Sequence, residues 1–219
     1  MVRFKIRGER NSGTTFLERL FAVNHIPTDP HVEANGICYH WKHSAPTDLI
    51  QHVIDIFVFR RLEDWLVSMS KNPYHLVPFK EFDKFLTTRQ QSCETFLLDH
   101  QTMRCLNEDD NEKTIFDIRY YKFNAIMDYT NKRPPGNIVF VNLSYLQENT
   151  LTFLNTLNAR YLNLTDPVFI TEMNHTKDPD LNAKNRTYDI VISDYQDIID
   201  TRKNEGVEDF INHLEMEFF

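Results

Sequence analysis

Gly8 and Gly13, with four residues between them, lie in the stretch IRGERNSGTTFL and have the spacing of a phosphate-binding loop. In a loop that cradles a nucleoside triphosphate, a lysine follows the second glycine and reaches the outer phosphates. Here Thr14 and then Thr15 follow. A glycine loop that runs into a helix offers several backbone N–H groups and the positive end of the helix dipole to one anion. Ser12, Thr14 and Thr15 add hydroxyl donors. Turn glycines alone give the same spacing, so it is the placement of the loop between a strand and a helix that favours anion binding. A kinase or nucleoside triphosphatase would need the loop lysine and an acid at a strand end to help hold magnesium. The apolar runs 55–59 and 138–141 end instead in Arg60-Arg61 and Asn142.

The elements that must position these groups follow from periodicity. Val2, Phe4 and Ile6 alternate with Arg3, Lys5 and Arg7, a strand period. Phe16, Leu17, Leu20 and Phe21 then form a helical stripe. A central parallel strand is apolar on both faces, so three charges on one face predict incomplete covering or a nearby anion. Residues 55–59 read as a buried strand, and Leu62, Trp65, Leu66 and Met69 as the helix after it, with Glu63 and Asp64 in its first turn. Helices are expected over 79–105, about 115–130 and 149–164, with an acidic break at 108–110. Strands are expected at 138–141 and, briefly, 190–192, with 166–189 irregular and a helix closing the chain. Strands alternating with helices predict an α/β fold, three α/β/α layers around a central parallel sheet. The 219 residues, 41% of them hydrophobic, fit one domain spanning 1–219.

Net charge is −8, which disfavours nucleic acid as a partner. Residues 1–75 hold 9 Lys and Arg against 8 Asp and Glu, so the excess of acid lies entirely in the remainder. An anion finds its most favourable field in the N-terminal third. Three cysteines at spacings that match no metal motif read as free thiols of a reducing compartment. No apolar leader and no stretch of 18 apolar residues is present, which predicts a cytoplasmic chain without a membrane segment.

Two stretches carry a family resemblance. RNSGTTFL, residues 10–17, resembles the PKSGTT phosphosulfate loop of sulfotransferases, and FVFRRLEDWLVSMSKNPYH, residues 57–75, is similar to their second signature, a strand followed by RNPxDxxxS. IVFVNLSYLQEN, residues 138–149, is more loosely similar to a third family segment. The resemblance implies a P-loop α/β fold of nucleotide-binding type. It also implies 3′-phosphoadenosine 5′-phosphosulfate (PAPS) as sulfuryl donor, 3′,5′-ADP as the product left behind, and no metal. It assigns Arg10, Asn11, Ser12, Gly13, Thr14 and Thr15 to the phosphosulfate loop, and Arg60 and Ser68 to the 3′-phosphate. An arginine at a strand end and a serine two turns into the next helix can converge on one anion. Phe16 matches an aromatic position that contacts adenine, and equally lies on the apolar stripe of its helix.

Many members carry a lysine where this chain has Asn11, and that cation stabilises the bridging oxygen of the leaving phosphate. Losing one preorganised donor of this kind costs about 3–4 kcal/mol of barrier. Arg10 is the first candidate to replace it. KHSAP, residues 42–46, resembles a KTHLP segment whose histidine is the general base, although lysine and histidine adjoin here. His43 is accordingly assigned as base, with His40 as its rival, His75 as a weaker candidate, and Lys42 as either a second cation or a solvated side chain. Trp65 reads as core. Tyr120, Tyr121 and Phe123, with Arg119 and Lys122, either line an acceptor pocket or pack a helix. Lys184 and Arg186 are the nearest basic residues to the family's C-terminal 3′-phosphate contact and are not assigned. The expected activity is sulfuryl transfer to a hydroxyl-bearing small-molecule or carbohydrate acceptor. The alternatives are a divergent P-loop nucleotide kinase and a non-catalytic nucleotide-binding module.

Overall fold

A computed structural model describes residues 2–29, 32–34, 37–39, 43, 46, 53–71, 79–90, 98–99, 104–105, 113–162 and 190–219. Its main sheet has the order β1 (Arg3–Gly8), β4 (Val53–Phe59), β7 (Ile138–Asn142), β8 (Met216–Phe218). β1, β4 and β7 run parallel, and β8 joins antiparallel. Outside β1 the chain adds a one-residue parallel bridge, Phe4 to Thr28. A second, antiparallel sheet orders the short strands β2 (Val32–Ala34), β3 (Ile37–Tyr39), β5 (Leu98–Asp99) and β6 (Arg104–Cys105).

Helices cover both faces of the main sheet. On one face α1 (Thr14–Val23), α5 (Leu143–Glu148) and α6 (Thr150–Tyr161) bury Phe16, Leu17, Leu20, Phe21, Leu146 and Phe153 against Phe4, Ile6, Ile56 and Val139. On the other face α4 (Ile115–Thr130) and α8 (Glu205–His213) set Ile126, Tyr129, Val207 and Ile211 against Phe57, Phe59 and Phe140. Each side chain of this size contributes about 1.5–3 kcal/mol on burial. A further cluster joins α2 (Leu62–Lys71), α3 (Phe82–Thr87), the start of α4 and α7 (Gln196–Arg202). α4 starts on a capping box: the Thr114 hydroxyl accepts from Asp117 N–H, and the Asp117 carboxylate accepts from Thr114 N–H. That cap fixes the helix one turn before Arg119.

The α/β expectation holds, with a mostly parallel open sheet, and several local expectations are corrected. The charged face of β1 meets the chain's own carboxylates: Arg3 is exposed and pairs with Asp29 Oδ1 at 3.1 Å, whereas Lys5 and Arg7 are buried. Arg7 Nε donates to Asp55 Oδ1 at 2.7 Å on the adjacent strand, and Tyr129 Oη and Arg133 Nη2 reach Asp55 Oδ2 at 2.8 and 3.2 Å. The chain closes with strand β8 after α8, because Met216 and Phe218 alternate about Glu217 and fit the free edge of β7. Residues 192–195 form a 3₁₀ turn and 190–191 no strand; Ile190 and Ile192 pack on the α2–α3 cluster while Val191 is exposed. Among the described residues of 79–105, helix covers Phe82–Thr87, and Leu98–Asp99 and Arg104–Cys105 are the strands β5 and β6 where helix was expected. The acidic break at 108–110 and segment 166–189 lie outside the described residues. Among the described residues no helix is long and apolar enough to cross a membrane.

Candidate functional site: a glycine loop clasped by two helices

β1 delivers the chain at Gly8, and the loop turns over before α1 starts at Thr14. Ser12 N–H and Ser12 Oγ both donate to the Glu9 carbonyl, at 3.2 and 2.7 Å, closing the turn. A Cβ on Gly8 would lie 2.6 Å from the Val58 carbonyl and closer still to Ser12 Oγ, so the tight crossing needs glycine. Asn11 at φ 60° and Gly13 at φ 105° occupy the left-handed region. Among the described residues no side chain caps α1. Its first-turn N–H groups therefore point at the loop mouth, with the dipole end favouring negative charge.

The second stretch closes on the loop from the β4–α2 corner. Arg60 Nη1 donates to the Asn11 carbonyl at 3.1 Å, and the Asn11 side-chain amide donates to the Ser68 carbonyl at 3.3 Å. It also reaches Met69 Sδ at 3.2 Å. Asn11 is thus the bridge between loop and α2, and asparagine suits both tasks: it tolerates the left-handed backbone and carries a donor amide. Trp65, fully buried, donates its indole N–H to the Arg10 carbonyl at 2.8 Å. The core reading of Trp65 holds, and the same ring anchors the loop.

Arg60 is half-buried, and among the described residues no carboxylate lies within ion-pairing distance of it. Burial pushes its guanidinium below the ordinary arginine value, and the charge of Asp64 only partly offsets this. A cation in that state gains from an arriving anion. Ser68 is likewise half-buried, on the α2 face next to the loop.

His43 is buried, with Nδ1 3.0 Å from the Gly8 carbonyl. A carbonyl only accepts, so Nδ1 carries the proton, and in the neutral ring Nε2 is the basic nitrogen. The structure therefore brings Arg10, Asn11, Ser12, Gly13, Thr14, Arg60, Ser68 and His43 into one neighbourhood. Thr14 is buried at the loop's end and Thr15 is exposed. Phe16 sits in the core cluster, which is the packing alternative of its two readings. Tyr120 and Tyr121 are exposed, whereas Arg119 and Lys122 are buried and Phe123 packs against Phe59. Lys42, His40, His75, Lys184 and Arg186 lie outside the described residues.

Sequence reasoning missed the layer beneath the loop. Arg119 Nη1 donates to Glu9 Oε2 at 2.5 Å, while Nε and Nη2 donate to Glu208 Oε1 and Oε2 at 2.7 and 2.9 Å. Nη2 also donates to the Arg60 carbonyl at 2.8 Å. Burial alone would lower the Arg119 pKa, but Glu9 and Glu208 outweigh it and hold the group above its ordinary value. The one available signal was an acid inside the loop and an arginine inside the apolar run IFDIRYYKF. Comparison with protein-family models, with curated proteins and with solved structures returned no match for this chain.

Proposed function

We propose that the chain is a sulfotransferase that moves a sulfuryl group from PAPS to a hydroxyl-bearing acceptor, on a fold of the P-loop nucleotide-binding type. The observation that carries this reading is the meeting of the two sulfotransferase-like stretches: Arg60, without a carboxylate partner among the described residues, reaches the loop at Asn11 beside an uncapped helix N-terminus. A 5′-phosphosulfate has no β- or γ-phosphate, which accords with Thr14 where a triphosphate loop has lysine.

In this mechanism the acceptor oxygen attacks sulfur in line, and the bond from sulfur to the bridging phosphate oxygen breaks. The acceptor's proton passes to His43 Nε2. The new charge on the departing 5′-phosphate of 3′,5′-ADP is met by loop N–H groups and by Arg10, with Arg60 and Ser68 holding the 3′-phosphate. Positioning and cations supply most of the rate enhancement in such a transfer. No metal takes part.

The carboxylate of the loop itself, Glu9, is engaged by the Arg119 guanidinium, which weighs against the nucleotide-kinase alternative, since that enzyme would use an acid near the loop for magnesium. The binding-module alternative draws on one observation: Asn11 spends its amide on α2 and brings no charge to the loop. Release of 3′,5′-ADP from PAPS in the presence of a hydroxyl-acceptor panel, with chelator present, separates the readings. Turnover that falls by about 10²–10⁴ in His43→Ala is expected. Tight PAPS binding with no turnover on any acceptor would favour the module.

A further inference from the structure

We propose that Arg119 is the positioning residue of the anion loop, and that Glu208 makes α8 a determinant of loop geometry. The inference rests on the anion-binding reading of the loop and goes beyond it, because neither Arg119 nor Glu208 belongs to the sulfotransferase-like stretches.

One guanidinium holds the loop at three places. It binds the Glu9 side chain directly, it binds the Arg60 carbonyl, and its face lies 4.9 Å from the centre of the Trp65 ring, whose indole N–H holds the Arg10 carbonyl. The fork against Glu208 fixes the plane of the group, so its remaining N–H bonds can point only where Glu9 and the Arg60 carbonyl stand. Four of its five N–H groups are used in this way. Arg119 is 110 residues from Glu9 and 89 from Glu208 in sequence. Helix α8 is set by its own cap, Asn204 Oδ1 accepting from Val207 N–H at 3.1 Å, and by Val207 and Ile211 in the core. A displacement of α8 therefore releases the guanidinium plane first, and with it both Glu9 in the loop and Arg60 at its mouth.

The test uses the full chain and three variants, Glu208→Gln, Arg119→Lys and Ile211→Ala. The last destabilises α8 through the core without touching the fork. Amide hydrogen exchange is followed at 9–15 and 60–62, with α6 as the internal reference, alongside calorimetric binding of 3′,5′-ADP. Glu208→Gln and Arg119→Lys are expected to speed exchange at those positions severalfold, to leave α6 unchanged, and to weaken 3′,5′-ADP by about tenfold. Ile211→Ala is expected to speed exchange in α8 with a smaller effect on the loop. Parent-like loop exchange in Glu208→Gln and Arg119→Lys would overturn the proposal, as would parent-like loop exchange in Ile211→Ala when exchange in α8 itself is raised. Should the parent chain fail to bind 3′,5′-ADP while the exchange pattern appears as expected, the positioning role stands and the PAPS reading fails.

Discussion

Asn11 changes meaning between sequence and structure. By comparison with sulfotransferases it marks a missing lysine; in the fold it is a left-handed residue whose carbonyl accepts from Arg60 and whose amide donates to α2. Lysine there would forfeit the amide contacts and carry the left-handed backbone at a cost of about 1–2 kcal/mol. The two demands separate experimentally. Asn11→Gly keeps the backbone and loses the amide, whereas Asn11→Ala loses both, so urea unfolding should find the alanine variant less stable than the glycine variant by about 1 kcal/mol. Equal stability of the two would mean that the φ of Asn11 is not what selects it. The pairing of Arg119 with Glu9 was invisible in the sequence for a plain reason: nothing local links residues 110 positions apart.

At the scale of elements, the strand–loop–helix junction is the feature the sequence shows best, because glycine spacing, strand alternation and the helical stripe all lie within about twenty residues of one another. The expected helix over 79–105 gives way to strand at 98–99 and 104–105, and the helical repeat of Phe82, Phe85 and Leu86 spans under two turns. Strand β8 was read as helix because three residues carry too little period to compete with the amphipathic pattern before them. Gly13 tests how tightly the junction is built. It combines φ 105° with a position where a Cβ would run into the Leu143 side chain, whereas Gly136, at φ 83°, faces open space. Gly136→Ala should cost about 1 kcal/mol of backbone strain alone. Gly13→Ala should cost about 2–4 kcal/mol, the excess being the overpacking against α5. Denaturant midpoints measure both, and equal costs would contradict the close approach of Gly13 to Leu143.

On the scale of the whole molecule, the α/β class was legible because apolar runs and helical stripes alternate along the chain. The buried charge layer was not, since Asp55 reads as the edge of an apolar run until β1 brings Arg7 beside it. That layer gives the fold an alkaline limit. Burial first, and then the negative charge of Asp55, push the Tyr129 phenol from 10.0 up to about 12. A folded-state pKa above the unfolded one means that this contribution is intact below about pH 10 and lost as pH rises towards about 12. Unfolding free energy should fall over that window in the parent chain, and Tyr129→Phe should flatten the fall while losing the hydrogen bond to Asp55. An unchanged slope in the variant would place the alkaline transition elsewhere.

The central claim is that this loop and Arg60 form the binding site of a 3′-phosphorylated nucleotide with a single 5′-phosphate. Titration calorimetry of the parent chain and of Arg60→Ala with 3′,5′-ADP, 5′-AMP and ATP–magnesium tests it most directly. The parent is expected to bind 3′,5′-ADP more tightly than either of the others, and Arg60→Ala to lose about 1.5–3 kcal/mol of that affinity, removing its preference over 5′-AMP. Tighter binding of ATP–magnesium than of 3′,5′-ADP, or an Arg60→Ala variant that still prefers 3′,5′-ADP over 5′-AMP, would contradict it.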